Sequence, residues 1–246
     1  MSNTNLATIR ELLAKCSPEE RAALFRELRA AHQIHEFEAV IGAPAEMILE
    51  AVHRAPELTR RMLRGVIADA AFRTFAVAAL EPLGWVNVTP EGNFAFDSKL
   101  DDGTGPVTVQ VKLQRSERGS PVVKDGTRYE FTGEVFMTET QKTRTGTDGE
   151  DNQTRPYRYG EFDILAVSMQ PSTGKWDRYM YTLGRWLLAG KRDGEMATLQ
   201  PVSKLPGEFW TDDFRTAVQW FRAADGGKRM RVLPKAPPNR RTRTPL

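Results

Sequence analysis

Strict alternation between apolar and polar residues at positions 107–114 limits what this chain can fold into. Successive side chains of a β-strand point to opposite faces, so the alternation predicts a strand with one face in a core and one polar face. The core-facing set is Val107, Val109, Val111 and Leu113, and the polar set is Thr108, Gln110, Lys112 and Gln114. A turn at residues 101–105 precedes this strand, and another strand is predicted before the turn, at 94–100.

Gln110 and Lys112 point the same way from the alternating strand, and Asp97 stands in the strand before the turn. If the two strands pair antiparallel, Asp97 lies near both residues. A hard divalent cation would explain an acid, an amide oxygen and an ammonium group at one point, because Mg²⁺ binds one or two protein oxygens together with substrate phosphate and water. The lysine can polarise an attacking water or neutralise charge that grows on the phosphate.

The first third of the chain has the pattern of helices. A capping box of Ser17, Pro18 and Glu20 predicts one helix, and others are predicted at about 44–54 and 57–81, with an end at 82–84. Further strands are predicted at 85–88, 129–137, 162–169 and 176–183, a long polar loop at 138–159, and a closing helix from about 211. The predicted fold class is α/β, or α+β, with a central mixed sheet flanked by helices and a helical N-terminal extension.

Charge is segregated along the chain. Lysine and arginine number 35 against 32 acidic residues, for a net charge of +3, yet no acid follows residue 227. The basic residues there are Lys228, Arg229, Arg231, Lys235, Arg240, Arg241 and Arg243. This Pro-rich tail, 226–246, is predicted to be flexible and either to bind phosphates through counterion release or to act only as a solubilising end.

Composition also excludes several classes of protein. The single cysteine, Cys16, excludes a disulfide framework and any Cys-based zinc or iron–sulfur site. Apolar runs are too short for a membrane span, and the N-terminus lacks the regions of a signal peptide. We therefore expect a cytoplasmic protein with no membrane partner.

Asp97 followed by Gln110-Val111-Lys112 resembles the PD-(D/E)xK nuclease motif in its QxK form, as in Mrr-like nucleases. Three other segments stand in matching order. GVIADAAF at 65–72 resembles the start of the superfamily's first core helix, with Asp69 where glutamate is usual. GWV at 84–86 precedes the strand of the aspartate, and FDILAV at 162–167 resembles the later central strand. In length and in its helical N-terminal part, the chain resembles a type II restriction endonuclease.

The resemblance implies a restriction-endonuclease-like core at 57–225, after a helical region at 1–56 for DNA binding or dimerisation. It implies Mg²⁺ bound by Asp97, the Val111 carbonyl, Gln110 and Asp69, with Lys112 assisting the attacking water. Asp97, Gln110, Lys112 and Asp69 form the implied catalytic set. From the residues alone, Asp69 can equally pair with Arg73 one helical turn later. Asp163 is interpreted as a strand-start acid that bonds neighbouring backbone groups.

Double-stranded DNA is the expected partner, together with a second copy of the chain and a separately encoded cognate DNA methyltransferase. The candidate DNA-contacting residues follow the alternating strand or lie in and beside the long polar loop. They are Gln114, Arg115, Arg118, Lys124, Lys142, Arg144, Arg155 and Arg158. Two alternatives stay open: a repair, nicking or methylation-dependent nuclease of the same fold, and a non-catalytic DNA-binding protein in which Gln110 marks a decayed site.

Overall fold

The computed structural model describes residues 3–32, 35–142, 156–223 and 227–234. The chain divides into two compact units, Met1–Met62 and Leu63–Leu246. The domain boundary predicted between residues 56 and 57 coincides with the start of a helix, Glu57–Ala71, whereas the division between the units falls inside that helix.

The first unit is helical. Its helices are α1 (Asn3–Lys15), α2 (Pro18–Ala31), α3 (Phe37–Ile41) and α4 (Ala45–Arg54), followed by the start of α5 (Glu57–Ala71). The predicted capping box of α2 is confirmed: the Glu20 amide donates to Ser17 Oγ at 3.1 Å, and the Ser17 amide donates to Glu20 Oε2 at 2.8 Å. Pro44 is the N-cap of α4 and not, as predicted, its first helical residue.

None of the described side chains of the first unit is buried. Helix α1 exposes Leu6, Ile9 and Leu12, and α2 exposes Leu24, Phe25 and Leu28. An ion pair joins α2 to α4, with Arg29 Nη1 at 2.5 Å from Glu46 Oε1. Local capping and ion pairs therefore hold these helices more than a side-chain core does.

The helix predicted at 57–81 is confirmed in extent, and it contains an irregularity that the sequence did not predict. Helix α5 continues into a π-helical segment, Phe72–Val77, then α6 (Ala78–Leu80) and a 3-10 turn, Glu81–Leu83. Gly84, with φ of 87°, ends the run as its C-cap, as expected for a residue that must adopt the left-handed conformation. Wide π turns of this kind are common near functional sites.

The central sheet of the second unit is mixed, as predicted. Its strands are β1 (Val86–Asn87), β2 (Ser98–Asp101), β3 (Pro106–Leu113), β8 (Ile164–Ser168) and β9 (Tyr179–Leu183), in spatial order β1-β2-β3-β8-β9. Strands β3 and β8 pair parallel, and the other neighbours pair antiparallel. Every residue of β8 is buried, which confirms the central strand predicted at 162–169. Strand β2 is shorter than predicted, because residues 94–97 lie outside it.

Helices cover this sheet through aromatic contacts. The ring of Phe72 lies 5.4 Å from that of Tyr179, and the ring of Phe214 lies 5.5 Å from that of Tyr181. Phe214 belongs to the closing helix, α8 (Phe214–Arg222), which Asp213 caps. The connection between β8 and β9 contains a short helix, α7 (Gln170–Thr173).

A second sheet, of order β10-β7-β6, accompanies the first. It contains β6 (Val123–Asp125), β7 (Glu134–Glu139) and β10 (Leu199–Val202), while β4 (Ser116–Glu117) and β5 (Ser120–Pro121) form a separate hairpin. The strand predicted at 129–137 is therefore wrong at its start. A 3-10 turn, Gly126–Tyr129, occupies that place, and Glu130 with φ of 65° breaks any extended run.

Part of the tail predicted to be flexible at 226–246 contacts the rest of the second unit. Met230 is buried, and its amide donates to the Trp186 carbonyl at 2.8 Å. The Lys228 ammonium lies 4.5 Å from the centre of the Trp186 ring. These contacts hold Lys228 and Met230 against the rest of the second unit, and residues 235–246 lie outside the described part. Across the described residues, we find no helix with the length and apolar character needed to cross a bilayer.

Candidate functional site

The antiparallel pairing of β2 and β3 is confirmed, and it brings Asp97 to Gln110. Asp97 directly precedes β2, and its amide donates to the Val109 carbonyl at 2.9 Å. Its carboxylate is fixed to β3: Oδ2 accepts the Val111 amide at 2.7 Å and also the side-chain amide of Gln110. Both recorded bonds fall on one oxygen of the carboxylate.

Lys112 lies two residues farther along β3, with its ammonium group inside the protein. It donates to the Tyr157 hydroxyl at 3.2 Å and lies 5.1 Å from the centre of that ring. Burial lowers the pKa of Lys112, and the charges of Asp97 and Asp69 partly oppose that effect. The charged form of Lys112 is therefore less favourable here than it would be in water.

The two carboxylate oxygens of Asp69 have different surroundings. One oxygen, Oδ2, lies 3.3 Å from Arg73 Nη2, as in the predicted ion pair. The other, Oδ1, is buried and has no hydrogen-bond partner among the described residues. Arg73 also donates to the Asp97 carbonyl at 3.3 Å, so it joins the helix to the strand of the aspartate.

Two carboxylates are therefore held in a poorly solvated place. Burial raises the pKa of Asp97, opposed by the Val111 amide and Lys112, and the charge of Asp69 raises it further. Burial likewise raises the pKa of Asp69, opposed by Arg73. Buried acids of this kind are stabilised in their charged form by a cation.

The oxygens available to a metal at this point are those of Asp97, Asp69 Oδ1 and the Val111 carbonyl. No group of three or more His, Cys, Asp or Glu side chains in the described ranges is arranged to hold a metal ion. Gln110 differs from its predicted role as an oxygen ligand, because its amide nitrogen donates to Asp97 and, at 3.1 Å, to the Val111 carbonyl. The amide would have to turn before its oxygen could face a cation.

Tyr157 is the residue of this site that the sequence analysis missed. It is buried, and a second ammonium group, that of Lys142, lies 5.4 Å from its ring centre. Burial raises the pKa of Tyr157, so the phenol stays neutral at physiological pH. An aromatic residue in a polar stretch just before the predicted central strand was the available signal.

Asp163 has the structural role interpreted from the sequence. Its Oδ2 accepts the Thr108 amide at 2.8 Å and the Thr108 hydroxyl at 2.7 Å. These bonds tie the start of β8 to β3. Asp163 is thereby assigned to the framework of the sheet.

The candidate DNA-contacting residues differ in their surroundings. Arg118, Lys124 and Arg158 are exposed. Arg115 is paired with Glu117 and Glu139, both at 2.8 Å, and Lys142 with Glu161 at 2.6 Å. Gln114 is only 1% exposed, which contradicts its predicted contact with DNA, because the bridge to Thr138 turns it inside. Arg144 and Arg155 lie outside the described residues.

A bacterial homing endonuclease of known structure is similar to part of this chain. The two share 24% sequence identity over 50% of this chain and 68% of that chain, with a TM-score of 0.32. No family model matches the sequence, and no curated protein matches it. The arrangement of the site's own side chains therefore carries the functional conclusion.

Proposed function

We propose that this protein is a Mg²⁺-dependent endodeoxyribonuclease with a restriction-endonuclease-like core, acting as a type II restriction enzyme on double-stranded DNA. The observation that carries the proposal is the meeting of Asp97, Asp69 and Lys112 in one partly buried place. Helix α5 supplies Asp69, the residue before β2 supplies Asp97, and β3 supplies Lys112. This order of helix and strands, with β3 parallel to a buried β8, supports the PD-(D/E)xK assignment.

The residues fit a divalent cation. Asp69 Oδ1 is a buried oxygen without a partner in the described part of the chain, and Asp97 adds a carboxylate whose charged form is disfavoured by burial. Asp97, Asp69 and the Val111 carbonyl would hold the ion, with Gln110 joining if its amide turns. When bound, Mg²⁺ would stabilise negative charge on the phosphate and the departing oxygen.

Lys112 would act on the attacking water. Its lowered pKa favours exchange of a proton with that water, and its charged form would neutralise charge on the phosphate. Tyr157 holds the ammonium group through its hydroxyl and therefore acts as a positioning residue. Arg73, bonded to the backbone of Asp97, fixes the carboxylate relative to the helix.

The DNA would meet the exposed cations Arg118, Lys124 and Arg158, with Arg144 and Arg155 as further candidates. Arg115 and Lys142 would have to break their ion pairs to contact DNA, so we expect them to contribute less to DNA binding. A homodimer is the simplest way to cut both strands of a symmetric site. The apolar side chains that α1 and α2 expose support dimerisation through the first unit. The restriction role also implies a cognate methyltransferase.

A second candidate function is supported by one observation. The side-chain nitrogen of Gln110 donates to two of the oxygens that would hold the metal. A non-catalytic DNA-binding protein, whose site has decayed at Gln110, would keep this arrangement. That alternative requires Mg²⁺-independent DNA binding and no cleavage with any divalent ion.

The deciding experiment is to incubate the protein with plasmid and phage DNA in Mg²⁺ and to sequence any ends. We expect discrete fragments from the parent protein and a loss of about 100- to 1,000-fold in rate from Asp97→Ala, the scale at which a key charge in a site contributes. The matched control is Asp177→Ala, which removes an exposed carboxylate near Arg178 outside the site. Cleavage by Asp97→Ala at the parental rate would disprove the proposal.

A further inference from the structure

A cleft of about 480 Å³ opens beside the candidate site, between the helix and the segment that leads into β2. Asp97 and Arg73 line one side of it, and Asn93, Phe94 and Phe96 line another. The volume lies in the range of clefts that bind small organic groups. A ligand in this cleft would therefore lie against a residue of the proposed catalytic site.

Two aromatic rings form one wall of the cleft. The rings of Phe94 and Phe96 are stacked, with centroids 5.2 Å apart and 16° between their planes. Phe96 packs against the core, whereas Phe94 remains 46% exposed. An apolar ring left half in water next to a polar cleft provides a surface on which another flat ring can stack.

The backbone is shaped around that ring. Gly92 has φ of 136°, and a Cβ atom at this position would lie 3.1 Å from the ring of Phe94. Only glycine both adopts this conformation without strain and lets the ring come so close. The position of Phe94 is therefore set by Gly92 together with Phe96.

Polar groups complete the cleft opposite the rings. The Arg73 guanidinium, half exposed, is anchored by Asp69 and the Asp97 carbonyl and offers donors to a negative or carbonyl group. The side chain of Asn93 is exposed at the rim and offers both a donor and an acceptor. An occupant that satisfies both walls has a flat aromatic face and a polar edge.

We propose that this cleft binds one unstacked nucleobase of the DNA, with its face on Phe94. The inference rests on the proposed nuclease function, which brings a phosphate to Asp97. Because Asp97 lines the same cleft, the base of a nucleotide next to that phosphate is within reach once it leaves the stack. Enzymes gain access to DNA by such extrusion, and stacking on an aromatic side chain accepts any base.

The test compares two 12-nucleotide single strands of equal charge, one of thymidines and one abasic throughout, in the presence of a chelator. Phosphate contacts are the same for both strands, so the ratio of the two affinities measures what the bases contribute to binding. We expect the full-length protein to prefer thymidines by about tenfold, the scale of one base stacked on an aromatic ring. Phe94→Leu, which keeps an apolar contact with Phe96, should bring the ratio near one, and Phe94→Trp should preserve it.

Phe75→Ala is the matched control, since Phe75 is 47% exposed in the π-helical segment and does not line the cleft. It should leave the ratio unchanged, and thermal melting of each variant checks that the fold is intact. A parental ratio of one, or an equal loss in Phe75→Ala and Phe94→Leu, would overturn the inference.

Cleavage is measured separately with Mg²⁺. If the protein cuts DNA but its affinity ratio for the two strands is one, only the base site is refuted. If the ratio depends on Phe94 but no DNA is cut, only the nuclease function is refuted.

Discussion

The two units of this protein are stabilised in different ways. None of the described side chains in Met1–Met62 is buried, whereas in Leu63–Leu246 whole strands are enclosed. The helices of the first unit begin and end at local signals such as the capping box at Ser17. In the second unit, some strands depend on partners far away in sequence, as β3 does on β8. A pattern of helices in the sequence therefore does not by itself show that a side-chain core is present.

The largest effect we expect contrasts two truncations of leucine. Leu165 is 0% exposed in β8, and Leu49 is 66% exposed in α4. Leu165→Ala should lower the free energy of unfolding by about 2–5 kcal/mol, because it leaves a cavity in the central sheet. Leu49→Ala should change it by no more than about 0.5 kcal/mol. Chemical denaturation followed by far-UV circular dichroism, which reports the helices of the first unit as well as the second unit, measures both, and equal losses would show that the first unit has a core.

A smaller effect is expected on assembly. Replacing Leu6, Ile9 and Leu12 together by glutamine removes the apolar face of α1, so we expect this variant to be a monomer under conditions in which the parent forms the proposed dimer. Sedimentation velocity over a range of concentrations measures this, with Arg10→Gln on the same helix as the control. The unfolding of the second unit should be unaffected in either variant. A parent that sediments only as a monomer, free and on DNA, would contradict the dimer.

The smallest effect is on thermal stability and depends on pH. The pKa of Asp97 is raised in the folded protein, so folding becomes less favourable as the pH rises through that pKa and the buried acid ionises. Asp97→Asn keeps an oxygen for both bonds now made to Oδ2 and removes the charge. In a chelator, it should therefore raise the melting temperature at pH 8, and the gain should shrink as the pH falls.

Asp102 supplies a control of opposite sign for that measurement. Its hydrogen bonds with Arg222 lower the pKa of Asp102, so its charged form stabilises the fold. Asp102→Asn should lower the melting temperature at pH 8, and the loss should fade in acid. If Asp97→Asn instead lowers the melting temperature at pH 8, as Asp102→Asn should, then burial does not raise the pKa of Asp97 in the folded protein.

Periodic segments with turn signals at their ends were predictable from the sequence. The alternation at 107–113 gives β3, and the turn before it places Asp97 opposite Gln110, since a tight connection between neighbouring strands forces antiparallel pairing. The segment that contains β8 is apolar on both faces, and both faces of the strand are buried, as expected for a central strand. These features depend on residues close together in the chain.

The parts that the sequence did not predict depend on distant contacts or on unusual backbone. Glu130 takes a left-handed conformation that glutamate rarely adopts, so no pattern marks the late start of β7. Gln114 belongs to the polar face by alternation, but the second sheet covers it through Thr138. Tyr157 meets Lys112 across 45 residues, a contact that no local pattern encodes.

Separation along the chain also governs when the site forms. Thr108 and Asp163, which tie β3 to β8, are 55 residues apart, and a parallel pair cannot close through a short turn. Closing so long a segment is entropically costly and slow compared with forming a helix or hairpin. During synthesis, β2, β3 and α5 leave the ribosome well before β8. Asp69, Asp97 and Lys112 are therefore synthesised before Tyr157, and the candidate site is completed late in folding.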